Sequence, residues 1–470
     1  MNADLARMRE AMVSQVTVGA HPVSGPIAEA LRTVPRHVFL PDLPPVSAYR
    51  DEAIVTKRDA DGQPISSSSQ PTIMAIMLDQ LGLAPGHRVL EIGAGTGYNA
   101  ALMKRIVGAE GVVVTVDIDP DVAERARAHL IAAGYPDVTV VCGDGAAGYP
   151  AGAPYDRVIA TVGVSDLAPA WLGQLVPGGR IVVPLDVRGT QRSVAFEQAG
   201  GAWQSRSLVP CGFMRMRGTL AGPERTQVTR DDKELAVTLP DGRELDIAAV
   251  SRALAGPAAE YATDVVAGPA QLFDGLGLWL ALHEPHWGVL SAGGPAGAAL
   301  LDRAPVRIQD RRVTAGIFEG DSFAALMRPD APGDRPHPHS PRPPRPRAPG
   351  PWAPDRRDRQ ARVTEFALSA LGYGPHGHVL AGELADLLRV WDAAGRPGTE
   401  SLRISAFPKP GGSPASGVSA TGLAAGAPAA LAAGGAAAGG DAIVIDRPHT
   451  TFFIVYPEPA ESSGPPTLQA

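Results

Sequence analysis

Apolar positions in the first half of the chain alternate between helical and strand spacing. Leu5 to Val16 and Pro26 to Val34 have helical patterns, and a proline-rich turn follows at 41–45. Ile73, Met77 and Leu81 form one stripe of a helix over 72–81. Short apolar runs at 88–92, 112–116, 138–141, 157–161 and 180–183 read as strands, with helices at 100–106 and 122–133 between them. Strands separated by helices at this interval predict a parallel sheet covered on both faces.

Beyond residue 222 that regularity is lost. Leu235 to Leu239 and Glu244 to Ile247 flank Pro240-Asp-Gly-Arg, which predicts a hairpin with an Asp-Gly turn. Helical patterns follow at 248–254 and 273–282, strand patterns at 306–308 and 313–317, an ordered pattern at 363–371, an amphipathic helix at 379–391, and a terminal hairpin at 442–445 and 451–456. Two stretches break this half. Residues 329–361 are rich in Pro and Arg, and 410–440 in Gly, Ala and Ser; neither composition packs a core.

A chain of 470 residues exceeds one compact core, and 44% apolar with 19% charged residues belongs to globular protein. The expected organisation is therefore a catalytic domain at 1–222 and a smaller α+β domain from 223–328 and 362–470, carrying 329–361 and 410–440 as inserts. A net charge of −7 gives no basis for a nucleic-acid partner. No apolar run reads as a membrane span or signal core, so a soluble cytoplasmic protein is expected. The two cysteines, Cys142 and Cys211, are in no metal-ligand spacing and read as small buried residues. The expected metal content is none, and nothing in the pattern specifies an oligomeric state.

The strongest chemical signal is Val89-Leu-Glu-Ile-Gly-Ala-Gly-Thr-Gly-Tyr98, a glycine run between a strand and a helix. Gly93, Gly95 and Gly97 allow a sharp turn and close approach to a ligand. Asp117, ending the next strand, is placed to accept from ribose hydroxyls. Glu91 suits a cationic ligand and suits a pyrophosphate poorly. Asp144 and Gly145, after the third strand, offer a further contact, Asp144 towards an adenine amino group. This set favours S-adenosylmethionine over a dinucleotide.

Val34-Pro-Arg-His-Val-Phe-Leu-Pro41, Ala48-Tyr49, Ser69-Gln70-Pro71, the glycine run and Gly178-Gly-Arg-Ile-Val-Val-Pro184 follow one another as in the protein-L-isoaspartate O-methyltransferases. The chain resembles that family over about residues 10–220. The resemblance implies a seven-stranded Rossmann-like methyltransferase sheet and methylation of Asp or isoaspartyl carboxylates in a peptide or protein. It also implies a serine hydroxyl beside the acceptor, from a Thr-Ile-Ser-x-Pro segment. Here the segment is Pro64-Ile-Ser-Ser-Ser-Ser-Gln-Pro71. Anchoring on Gln70-Pro71 carries the role to Ser69, the preferred assignment; anchoring on Ile65 carries it to Ser66. His37 reads as structural.

A carboxylate, with an ordinary pKa of about 4, is already a nucleophile at neutral pH, so no His/Asp or Cys/His arrangement is needed. The long second half and the segment 209–218 depart from the stand-alone repair enzymes. The layout resembles methyltransferases of ribosomal-peptide maturation, those of FxLD lanthipeptide systems. That implies an Asp of a precursor peptide as acceptor, its ester closing to succinimide and opening to isoaspartate. Repair of isoaspartyl residues and a catalytically silent peptide-binding role are the alternatives.

Overall fold

The structure is a computed structural model and describes residues 2–18, 23–60, 62–229, 231, 234–308, 311–329, 365–410 and 442–456. It divides into two units, one of residues 1–223 with 399–470, the other of 224–398.

After the helices Asn2–Thr17 and Gly25–Thr33, the strands of the first unit begin with β1 (Ile54–Arg58) and β2 (Pro64–Ser68), an antiparallel pair. Then come β3 (Arg88–Ile92), β4 (Val112–Asp117), β5 (Thr139–Cys142), β6 (Tyr155–Ala160), β7 (Leu175–Val187), β8 (Thr190–Ala199) and β9 (Ala202–Cys211). The second unit holds β10 (Arg225–Val228), β11 (Ala236–Leu239), β12 (Ala259–Ala267), β13 (Trp287–Ala292), β14 (Val306–Ile308), β15 (Arg311–Glu319), β16 (Ser322–Met327) and β17 (Phe366–Tyr373). Strands β18 (Arg403–Pro408), β19 (Ile443–Asp446) and β20 (Thr450–Val455) return to the first unit.

The main sheet of the first unit has ten strands in the order β19-β20-β18-β9-β8-β7-β6-β3-β4-β5. Its β7-β6-β3-β4-β5 half is parallel, a Rossmann-like arrangement, and the rest is antiparallel. The sheet is therefore mixed and longer than the parallel, seven-stranded one expected. The strand expected at 180–183 extends over 175–187 and continues into β8 and β9. Two-residue turns make this meander: Arg188 and Gly189 have φ of 50° and 89°, Gly200 and Gly201 of 59° and 82°. Positive φ at both turn positions matches the right-handed twist of paired strands.

Helices begin and end where local chemistry allows. Pro71 and Pro120 occupy the first turns of the helices Pro71–Leu81 and Pro120–Ala132, and Gly82 ends the former with φ 62°. Met12, Val13, Leu31, Met77, Leu102 and Val113 share one core against the sheet.

The end of the chain is placed differently from the expectation. The terminal strands were expected in the second domain. Instead β18 pairs with β9 (Ser405 with Gln204, Ala406 with Trp203), and β20 and β19 follow outward. Without them β9 would be an open edge; Ile404, Ala406, Phe452 and Ile454 are buried there instead. The expected inserts, apart from residues 329 and 410, lie outside the described residues.

The second unit is an antiparallel sheet ordered β10-β11-β13-β15-β16-β17-β12, with β14 on β15. Leu380, Leu384, Leu388 and Trp391 form the buried stripe of its helix Gly377–Ala393. Phe318, Phe323 and Tyr373 stack successively, ring centroids 5.6 and 4.9 Å apart. The predicted 235–247 hairpin does not form. β11 pairs with β10 and β13, and the Asp246 carboxylate accepts from the backbone N–H of Ala248 and Ala249 to cap the helix Ile247–Leu254. Among the described residues no helix is long and apolar enough to cross a membrane.

Candidate active site

The C-terminal ends of β3 and β4 open onto a cavity of about 870 Å³ including its mouth. Its floor is the glycine run. Gly93, Gly95 and Gly97 all have positive φ, 100°, 52° and 86°. A Cβ on Gly93 would lie 2.7 Å from Thr161 Oγ1, and one on Gly95 would lie 3.2 Å from the Ser67 carbonyl. The loop is thus glycine-rich because of both its torsions and its neighbours. Gly97 precedes the helix Tyr98–Val107.

Asp117 ends β4 in the cavity lining. One carboxylate oxygen accepts from the Gly95 N–H at 3.0 Å, the other from the Asp119 N–H at 3.1 Å. Burial raises its pKa despite these bonds. Glu91 is fully buried below the loop and also borders the cavity. Asn99 Nδ2 donates to its Oε1 at 2.8 Å and Thr115 Oγ1 to its Oε2 at 2.7 Å. Burial nevertheless pushes Glu91 up to about 7.

Gly145 lines the cavity, and a Cβ there would lie 2.5 Å from Ile92 Cγ2. The neighbouring Asp144 side chain is not in the lining. It accepts from the Ala146 N–H at 2.9 Å and the Thr219 N–H at 2.9 Å, and also from the Thr219 hydroxyl. Burial works to raise its pKa, but the hydrogen bonds from Thr219 and Ala146 prevail and hold it low. Of the eight residues proposed from sequence, Ser69, Glu91, Gly93, Gly95, Asp117 and Gly145 line the cavity, Gly97 caps the helix that follows the loop, and Asp144 instead holds a segment beside the cavity.

Thr219 lies just beyond a strap, residues 213–217, whose Phe213, Met214, Arg215, Met216 and Arg217 all line the cavity. Arg215 pairs with Asp186, and Arg217 Nη2 is 2.6 Å from Asp119 Oδ2. Opposite lies the β1–β2 hairpin, whose Lys57 is 3.4 Å from the same Asp119 oxygen and also pairs with Asp121. Residues 65–69 of the hairpin's second strand and exit, both Ser66 and Ser69 included, face the cavity. Thr56 Oγ1 donates to Ser66 Oγ at 3.3 Å, and the Ser69 carbonyl accepts from Arg36 Nη2 at 2.9 Å. Three buried polar atoms in the lining, Ser68 Oγ, Tyr98 OH and Asn99 Oδ1, have no hydrogen-bond partner among the described residues. Such atoms fit a polar ligand.

The family model of protein-L-isoaspartate(D-aspartate) O-methyltransferase matches residues 7–220. A protein-L-isoaspartate O-methyltransferase of Methanopyrus kandleri is 39% identical over 214 residues, 45% of this chain and 92% of that protein. The chain belongs to the protein-L-isoaspartate(D-aspartate) O-methyltransferase family. The Thermotoga maritima protein of the same name is 42% identical over 174 residues, 37% of this chain but only 55% of that relative's length. A solved protein-L-isoaspartate O-methyltransferase aligns with 84% of the chain and 96% of its own, at 24% identity and TM-score 0.44. The family is one of transferases that use S-adenosylmethionine.

Sequence reasoning missed Arg36, Tyr98, Asn99 and Thr161, and took the segment 209–218, which holds the strap, only as a departure from the stand-alone enzymes, although the family match extends to residue 220. Tyr98 and Asn99 directly follow the glycine run, and the alternation Phe213-Met-Arg-Met-Arg217 was a visible signal. His37 shares a 2.8 Å hydrogen bond between Nδ1 and the Tyr49 hydroxyl. Of the cysteines, Cys142 is exposed, contrary to expectation, because it ends β5 at the rim of the sheet. Burial pushes Cys211 up to about 12.

Proposed function

We propose that this methyltransferase-family chain esterifies an Asp or isoaspartyl carboxylate of a peptide or protein. The observation that carries this reading is the meeting of the glycine loop and the Ser66–Ser69 segment in one cavity, with the Ser67 carbonyl directly over Gly95. In this reading Asp117 accepts from the ribose hydroxyls, the glycines let the cofactor lie against backbone, and Glu91 favours its positive charge. S-adenosylmethionine, when bound, supplies an electrophilic methyl on a sulfonium. Ser69 orients the acceptor carboxylate by hydrogen bonding without neutralising it. With the cofactor bound, attack by the aligned carboxylate would form the C–O bond as the C–S bond breaks, and the products would be a methyl ester and a neutral sulfide. No general base is required; the strap and hairpin exclude water and hold the approach geometry.

A narrower reading, that the acceptor is an Asp of a ribosomally made precursor, is favoured by the second unit, which has its own core beyond the family match at 7–220. Mass spectrometry of acceptors incubated with the chain and cofactor tests both. Methylation of isoaspartyl peptides in preference to every ordinary Asp precursor supports repair and defeats the narrower reading; methylation of neither defeats both. Ser69→Ala should lower kcat on the order of tenfold or more while cofactor affinity holds. A larger loss in Ser66→Ala would move the role to Ser66.

A further inference from the structure

Behind the Ser68–Ser69 wall lies a cation that the foregoing reading does not use. Arg36 opens the short helix Arg36–Phe39 and is 0% exposed. Its Nε donates to the Ala48 carbonyl at 2.8 Å and its Nη2 to the Ser69 carbonyl at 2.9 Å, with Glu52 O at 3.5 Å. All of these are backbone oxygens. Nη1 is buried with no hydrogen-bond partner among the described residues. The guanidinium carbon lies 5.1 Å from the centre of the Tyr98 ring, itself in the cavity lining with an unpartnered hydroxyl. Asp51 acts on Arg36 only at a distance, and its oxygens are taken by Gln70 Nε2 and by the N–H and hydroxyl of Thr72.

A buried guanidinium without a counter-ion is costly, and arginine does not escape the cost by losing its proton. Were Arg36 only a cross-link between Ala48 and Ser69, a neutral donor would serve at lower cost. What it adds is a poorly screened positive charge beside a cavity whose reading above calls for an anion. We propose that Arg36 is a positioning residue for the acceptor: it fixes Ser69 through the backbone carbonyl, and its unneutralised charge favours an acid-bearing acceptor over the matching amide. This rests on the acceptor reading given above.

The test uses the full chain saturated with S-adenosylhomocysteine and two peptides, one with isoaspartate and one with its neutral amide, their affinities read by fluorescence anisotropy. The native chain should bind the acid roughly tenfold or more tighter than the amide, as expected for a poorly screened charge acting through a low-dielectric wall. Arg36→Met should abolish that preference and leave S-adenosylhomocysteine affinity nearly unchanged. Arg36→Lys should restore the preference but not kcat, since one ammonium cannot span the Ala48 and Ser69 carbonyls as the planar fork does.

An unchanged acid preference in Arg36→Met overturns the proposal. So does a parallel fall of cofactor and peptide affinity in both variants, which marks a purely structural residue. If Arg36→Met does not fold, Arg36→Lys decides: native kcat overturns the proposal, and a lowered kcat with intact cofactor affinity supports it. A native chain that methylates the isoaspartyl peptide yet shows no acid preference defeats this inference alone. One that methylates no Asp or isoaspartyl peptide defeats the acceptor reading and this proposal together.

Discussion

The two walls of the cavity are built by different means. The floor, from β3 through the glycine run to Asp117, is almost contiguous in sequence and is shaped by backbone: positive φ values, strand pairing and N–H groups on one carboxylate. The cover, the β1–β2 hairpin and the 213–217 strap, is held by side chains distant in sequence. Asp119 receives Lys57 from one and Arg217 from the other, and Asp144 holds Thr219. Arg215 leans on Asp186, which Arg447 approaches from the β19–β20 turn at 3.9 Å. A backbone-built floor tolerates few substitutions at its glycines, whereas an ion-paired cover can be weakened in steps. The following experiments press on that difference.

The largest effect is expected from removing the distant support altogether. A chain ending at Gly222 loses β18, β19 and β20, so Trp203 and the outer edge of β9 meet water. Circular dichroism and thermal melting should show loss of the cooperative transition or aggregation. A soluble fragment melting like the native first unit would mean that these strands are dispensable.

Next is the floor. Gly95→Val forces a β-branched residue into φ 52° and puts its Cβ 3.2 Å from the Ser67 carbonyl. Strain on the order of 1–3 kcal/mol plus the obstruction should cut S-adenosylmethionine affinity by roughly a hundredfold. Calorimetric affinity within a few-fold of native would refute the close approach.

Glu91→Gln gives an intermediate, pH-dependent effect. Burial raises Glu91 from 4.5 to about 7, so the folded chain holds a proton that the unfolded chain releases in this range. Its contribution therefore favours folding at low pH and erodes stability as pH rises from about 4.5 to 7, by roughly 3 kcal/mol in total. The glutamine variant should melt with a flatter pH profile and higher than native near pH 8. It should also lose part of the preference for cationic S-adenosylmethionine over neutral S-adenosylhomocysteine. An unaltered melting profile would count against the buried carboxyl.

The smallest effect belongs to the cover. Arg217→Ala removes a partly exposed ion pair worth about 0–1 kcal/mol, so S-adenosylhomocysteine affinity should fall only a few-fold, and less at high salt. A loss as large as that of Gly95→Val would erase the contrast between the two walls.

How much could be read in advance follows the same division. The glycine run, Asp117 and the parallel half-sheet were legible because their signals are local: a β-branched run, glycines at fixed offsets, an acid at the next strand end. The β7–β9 meander was read only at 180–183, although Arg188-Gly189 and Gly200-Gly201 are two-residue turn signals. Asp144 was assigned to the cofactor by its place after a strand. Thr219, 75 residues away, captures its carboxylate.

By itself the sequence determined the alternating elements of the parallel half-sheet, the glycine floor and the family, because helical and strand periods and forced torsions are properties of neighbouring residues. Only the tertiary structure decided that the last strands close the edge of β9, that Asp144 holds Thr219 just beyond the strap, and that Arg36 lies behind Ser69 with no ion-pair partner among the described residues. Those outcomes depend on pairs dozens to hundreds of residues apart. Edge pairing, burial and charge compensation are settled by which surfaces finally meet.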